Sequence, residues 1–163
     1  MIGWLLMCVV AGVHCLAVAS GELVIVETPS EKQLYYEEPS MQKFSKPTGV
    51  LLAMHGCGHS ARDFWTSSET CPGCYGLPIG LTTTKEALSR GYVFASFSSS
   101  GPNGCWSKYA DLMALHEVMD LLRIKFPRLP LYLYGVSSGT HPPLPPSLAT
   151  LIAHCVVANA LSR

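Results

Sequence analysis

Charge is scarce in this chain. Only 13% of its 163 residues are Asp, Glu, Lys or Arg, and they sum to a formal charge of zero. There is no basic stretch and no long charged block, so nothing electrostatic points to nucleic acid or to an anionic membrane surface as a partner. No internal repeat is present. The length suits one domain with a sizeable core. No Asp or Glu follows Asp120, which removes any downstream carboxylate from the catalytic inventory.

The first twenty residues contain no Lys, Arg, Asp or Glu at all. Ile2 to Ala19 is an apolar run that ends in Val18-Ala19-Ser20 and Gly21. Small residues there suit signal-peptidase cleavage near Ser20, so residues 1–20 are expected to be a secretory signal and the mature chain to be secreted. Two other readings stand beside it. A run of about 18 apolar residues can just span a bilayer as an N-terminal anchor, and a buried N-terminal helix has the same composition. Beyond that possible anchor, no membrane association is expected.

Cys8 and Cys15 lie inside that segment, which leaves Cys57, Cys71, Cys74, Cys105 and Cys155. An oxidising compartment favours disulfides among the first four, in any of three connectivities. Cys155 is the odd one. A Cys₄ zinc site and a redox pair at Cys71-x-x-Cys74 are the competing readings. The Leu-Pro loop after Cys74 fits a redox helix poorly. No metal and no cofactor is expected.

Further along, Leu23-Val-Ile-Val and Leu34-Tyr-Tyr are short strand-like runs broken at Pro29-Ser30. Gly49-Val-Leu-Leu-Ala-Met54 is a continuous apolar run and reads as a strand buried on both faces. Ser60 can cap a short helical turn with Asp63 near its third position. Thr82 to Arg90 reads as a helix stopped by Gly91. Tyr92 to Phe97 reads as a strand. Ser107 to Phe126 reads as the longest helix, with Leu112, Leu115, Met119 and Leu122 on one stripe widened by Met113 and Val118. Pro127 and Pro130 end it. A last strand starts at Leu131.

Strand, helix, strand, helix, strand is the alternation that builds a mostly parallel sheet with helices on both faces. Reactive groups in such sheets collect at the carboxyl ends of the strands. Here those ends are His55-Gly-Cys-Gly, Ser98 to Cys105, and Val136-Ser137-Ser138.

The last of these carries the most chemistry. Leu131-Tyr-Leu-Tyr-Gly135-Val136-Ser137-Ser138-Gly139 is a strand that runs into G-x-S-x-G. Such a turn holds a serine at its apex in strained backbone geometry, and its glycines avoid clashes that a Cβ would cause. Ser137 is therefore the candidate nucleophile. The backbone N–H of Ser138 and an N–H in the Cys57-Gly58 region are the candidate oxyanion donors. His55 reads as a structural group beside that loop, and His59 and His116 as surface or capping histidines.

Taken together, His55-Gly-Cys-Gly-His-Ser-Ala-Arg-Asp-Phe-Trp65, the Cys71–Cys74 loop, Arg90-Gly-Tyr92, Cys105-Trp106-Ser107 and Gly135 to Gly139 resemble the N-terminal half of an α/β-hydrolase. The likeness is to the esterase and polyhydroxyalkanoate-depolymerase-like kind, and it covers about residues 49–139. It implies a partial α/β-hydrolase domain over residues 21–139, with Ser137 as nucleophile and Cys57, Gly58 and Ser138 at the oxyanion. It also implies the triad order Ser, then Asp or Glu, then His. That order is not met. His141 follows Ser137 too closely, and His154 has no acid to orient it. Residues 140–163 form an atypical tail in which Thr140-His-Pro-Pro-Leu-Pro-Pro146 replaces the expected helix.

The function expected from these residues is a secreted serine-hydrolase-like protein of carboxylic-ester lineage with an incomplete triad and little or no activity, in a truncated or alternatively ended form. Its substrate, if active, would be a small-molecule or polymeric ester. A non-enzymatic secreted binding module on a half-hydrolase scaffold is the second reading, and a C-x-x-C redox module the third. Without later strands, Leu131 to Tyr134 is expected to be an exposed sheet edge, with Leu148 to Leu161 a helix that covers part of it.

Overall fold

The computed structural model describes residues 21–140 and the strand at 155–158. The fold is mixed α/β, with one six-stranded sheet and two α-helices. Strands β1 (Val24–Glu27) and β2 (Gln33–Glu37) form an antiparallel hairpin. Its turn is closed by Thr28, whose N–H donates to the Lys32 carbonyl at 2.7 Å and whose hydroxyl accepts from the Lys32 N–H at 3.1 Å. β3 (Gly49–Met54), β4 (Tyr92–Phe97), β5 (Leu131–Val136) and β6 (Cys155–Ala158) follow, in the spatial order β1-β2-β4-β3-β5-β6. β4, β3, β5 and β6 run parallel, and β2 joins β4 antiparallel.

Helices α1 (Pro78–Ser89) and α2 (Leu112–Lys125) lie on opposite faces. Alternation along the strands assigns the side chains. Val50, Leu52, Val93, Ala95, Leu131 and Leu133 pack under Leu115, Val118, Met119 and Leu122 of α2. Ala53 and Phe94 point the other way, into a cluster with Phe64, Trp65 and Ala87 of α1. The mostly parallel sheet with helices on both faces is thus as the alternation implies.

Three boundaries differ from the sequence reading, each for a local reason. α1 starts at Pro78 rather than Thr82, because proline suits the first helical position. The threonines sit inside the helix and return their hydroxyls to carbonyls four residues back, Thr82 to Pro78 at 2.8 Å and Thr83 to Ile79 at 2.9 Å. α2 starts at Leu112 rather than Ser107. The fully buried Asp111 stands at the helix start, but its carboxylate accepts from the N–H groups of Ser107 (2.8 Å) and Ser100 (2.5 Å), which holds the preceding loop. Met113 is 68% exposed and leaves the apolar stripe, where Ala114 takes its place.

The third difference is at the sheet edge. β5 is not exposed there, because β6 pairs with it in parallel, from Leu133 opposite Cys155 to Val136 opposite Ala158. That strand lies within the stretch expected to be helical. The proline-rich run 141–146 and the residues on either side of β6 are outside the described residues, as is the whole segment 1–20.

Leu115 is fully buried at the centre of the α2 face. Leu115→Ala is expected to lower the unfolding free energy by about 2–5 kcal/mol, the usual range for a buried leucine cut back to alanine. Urea denaturation measures this; a loss below about 1 kcal/mol would mean that α2 is not seated as described.

Candidate active site

β5 lies between β3 and β6, and its carboxyl end becomes a tight 3₁₀ turn at Ser137–Thr140. Ser137 sits at the apex with φ +53°, in the left-handed region that non-glycine residues seldom occupy. Such a conformation costs on the order of 1–3 kcal/mol and persists only when its surroundings enforce it. The enforcing contacts are close. A Cβ on Gly135 would lie 2.1 Å from the Gly139 carbonyl oxygen, and one on Gly139 would lie 2.4 Å from the Met54 carbonyl oxygen. Both glycines are therefore required by proximity. Ser137 itself is exposed, while Gly135 and Gly139 are buried.

The loop after β3 packs against this turn. A Cβ on Gly56 would stand 3.3 Å from Ser137 Cβ, so Gly56 is immediate neighbour to the serine. His55 is buried, and both its ring nitrogens are engaged. Nδ1 lies 2.8 Å from the Gly56 carbonyl oxygen, and Nε2 accepts from the Ser99 N–H at 3.1 Å. That pattern fixes one neutral tautomer, with the proton on Nδ1. Burial pushes the His55 imidazole below its ordinary value, against a smaller opposing effect of the Gly56 carbonyl. His55 is a structural tie between two loops, as its place in the sequence suggests.

The loop after β4 closes the third side. Trp106 donates its indole N–H to the His55 carbonyl at 2.7 Å, stacks its ring at a tilt over His55, and donates its backbone N–H to Ser138 Oγ at 3.5 Å. A disulfide joins Cys57 to Cys105, and a second closes the short Cys71–Cys74 turn. Of the three connectivities the sequence left open, this is the one adopted. It leaves none of the four as a thiolate for zinc, and Cys71 and Cys74 are buried in the apolar cluster with Trp65 and Phe94.

One candidate oxyanion donor is otherwise engaged. The Gly58 N–H donates to the Asn103 carbonyl at 2.8 Å. Gly58 is held at φ +73° with open space where a Cβ would be. Its glycine thus serves the turn that meets the β4 loop, and the expectation of an open Gly58 donor is corrected. Cys57 and Ser138 remain the candidate donors.

The sequence matches no protein-family model and no curated protein. Solved structures match over most of the chain. An α/β serine hydrolase without lid from Xanthomonas campestris aligns with 85% of it at 14% identity and TM-score 0.53. A soluble variant of monoglyceride lipase from Saccharomyces cerevisiae, in complex with a substrate analogue, aligns with 86% at 14% identity and TM-score 0.53. A carboxyl esterase from Bacillus coagulans, in complex with glycerol, aligns with 74% at 15% identity and TM-score 0.50. The fold is α/β-hydrolase-like. The chain spans 61%, 45% and 37% of the lengths of those three proteins.

In this α/β-hydrolase-like fold His59, read from the sequence as a surface or capping histidine, borders the same Gly56 space as the serine, its Cδ2 3.7 Å from where a Gly56 Cβ would be. His59 Nδ1 lies 2.7 Å from Asp63 Oδ2. Asp63 is buried, and it also accepts from the Ser60 N–H at 3.3 Å, which bears out the expected Ser60 and Asp63 pairing in the 3₁₀ turn Ala61–Phe64. The signal was present as a His and an Asp four residues apart, the His just before the Ser60 cap and the Asp within the turn. Beside them lies a cavity of about 400 Å³, lined by Gly56, His59, Phe64, Leu77, Ile79 and Val136 among others. Ile79 is 78% exposed at its margin. His141 and His154 are outside the described residues.

The lowered His55 value gives a pH dependence with a definite sign. The folded state binds this proton less readily than the unfolded state. The stabilisation is therefore complete above the ordinary imidazole value of 6.5 and is lost as pH falls below it. Protonation also ends the acceptance from Ser99. Urea midpoints are expected to fall between pH 7.5 and pH 5, less steeply in His55→Gln. An equal slope in the variant would show that His55 does not carry the effect.

Proposed function

We propose that Ser137 is the acyl-accepting nucleophile of a carboxylic-ester hydrolase type of site. The observation that carries this reading is the left-handed backbone of Ser137 between two glycines that have no room for a side chain, at the carboxyl end of a parallel strand. A turn of this shape presents Oγ to solvent, clear of the sheet. Attack on an ester carbonyl develops negative charge on its oxygen. The Ser138 and Cys57 N–H groups are the donors assigned to that oxygen, and Gly56 lets a substrate approach between them. The cavity lined by Phe64, Leu77 and Ile79 takes the apolar part of the ester, whether small molecule or polymer unit.

Acylation of Ser137 is the half of the reaction read most directly. Secretion through residues 1–20 belongs to the same reading and is supported by the two disulfides, which persist in oxidising compartments.

The test is covalent labelling by an apolar fluorophosphonate, with the modified residue located by peptide mass spectrometry. The label is expected on Ser137, and Ser137→Ala is expected to reduce it to background. Undiminished labelling of Ser137→Ala, or none in the wild-type chain, would overturn the assignment.

A further inference from the structure

We propose that His59, oriented by Asp63, is the general base for Ser137, which makes a triad whose base and acid both precede the serine in the chain. This rests on the reading of Ser137 as nucleophile. Three histidines fall among the described residues. His55 has both ring nitrogens engaged, and His116 is on α2, across the sheet from the cavity. His59 differs from His55, which lines the same cavity, in that its side chain is half exposed and only its Nδ1 is engaged.

The geometry places it at the serine. A Cβ built on Gly56 would lie 3.3 Å from Ser137 Cβ and 3.7 Å from His59 Cδ2. Both side chains thus border the space that Gly56 leaves empty, and the sum of those distances is the upper limit on the separation of Ser137 Cβ from His59 Cδ2. The ring atom nearest that space is Cδ2, which is bonded to Nε2. Asp63 holds the other nitrogen, at 2.7 Å. A proton on Nδ1 shared with this carboxylate leaves the Nε2 lone pair available, the tautomer a general base requires. Asp63 is in turn fixed by burial and by the Ser60 N–H.

The step balances. As Ser137 Oγ bonds to the ester carbonyl carbon, its proton passes to His59 Nε2. When the tetrahedral intermediate collapses, the ester C–O bond breaks and His59 returns the proton to the departing alcohol. Water then attacks the acyl group by the same exchange and releases the acid and free Ser137. Asp63 is a positioning residue, acting only through His59. A side chain at position 56 would come within contact distance of both groups.

The experiment measures the rate at which an apolar fluorophosphonate labels the full chain from pH 5 to pH 9. The wild-type rate is expected to rise with pH. His59→Ala is expected to lose that rise and to label at least 100-fold more slowly, within the usual contribution of a general base. Added imidazole is expected to restore part of the rate. His59→Gln tests the same point with a side chain of similar reach, should His59→Ala fold poorly. Asp63→Asn is expected to displace the rise along the pH axis. If His59→Ala and His59→Gln keep the wild-type rate and rise while Ser137→Ala takes no label, the role of His59 is overturned and that of Ser137 stands. If wild-type Ser137 takes no label, both fall.

Discussion

Everything at this site depends on how closely the chain after β5 folds back on itself and on β3. The Gly139 backbone sits where a methyl group would strike the Met54 carbonyl, and Gly135 sits where one would strike Gly139. These contacts lock the 3₁₀ turn against the end of the central strand and force Ser137 into positive φ. The strain is local, but its support is distributed. It comes from the buried residues of β3 and β5 and the helices on either side. A serine elsewhere on the surface has no such support and relaxes to an ordinary turn.

Around that lock, polar groups tie three loops together. His55 reaches from the β3 loop to Ser99, Trp106 reaches from the β4 loop back to His55 and Ser138, and Gly58 meets Asn103. Asp111 gathers the β4 loop onto the start of α2. Among the described residues few ionisable groups are buried, and those at this end of the sheet, His55, Asp63 and Asp111, have partners. The pattern is what a preorganised site requires, since groups that are already fixed need no reorganisation when charge develops.

The sheet was legible because its strands are short apolar runs bounded by Gly, Pro and Ser, with helices between them. The turn at Ser137 was legible because its glycines are a direct consequence of crowding. β6 was not. Cys155–Ala158 lies inside a longer apolar run, where periodicity cannot separate strand from helix, and only its pairing with β5 decides. The start of α2 was misread because Ser107 and Asp111 are both good capping residues, and which one begins the helix depends on the distant Ser100. His59 was undervalued for a related reason. Its pairing with Asp63 is local and visible, whereas its closeness to Ser137 is created by β3 and β5 lying side by side.

The Cys57–Cys105 bond encloses 48 positions of sequence separation, and within that ring lie the 3₁₀ turn with Asp63, α1 and β4. In the chain-entropy account, closing a loop of that size restricts the unfolded state by about 4 kcal/mol. A second consequence concerns damage. The run of exposed loop residues 66–70 in the ring is where a protease would first find purchase. A cut there would leave His59 and Ser137 on separate polypeptides that remain covalently joined through the cystine. The nicked molecule would migrate as one species until reduced, and its serine could keep its neighbours after the backbone between them had been broken.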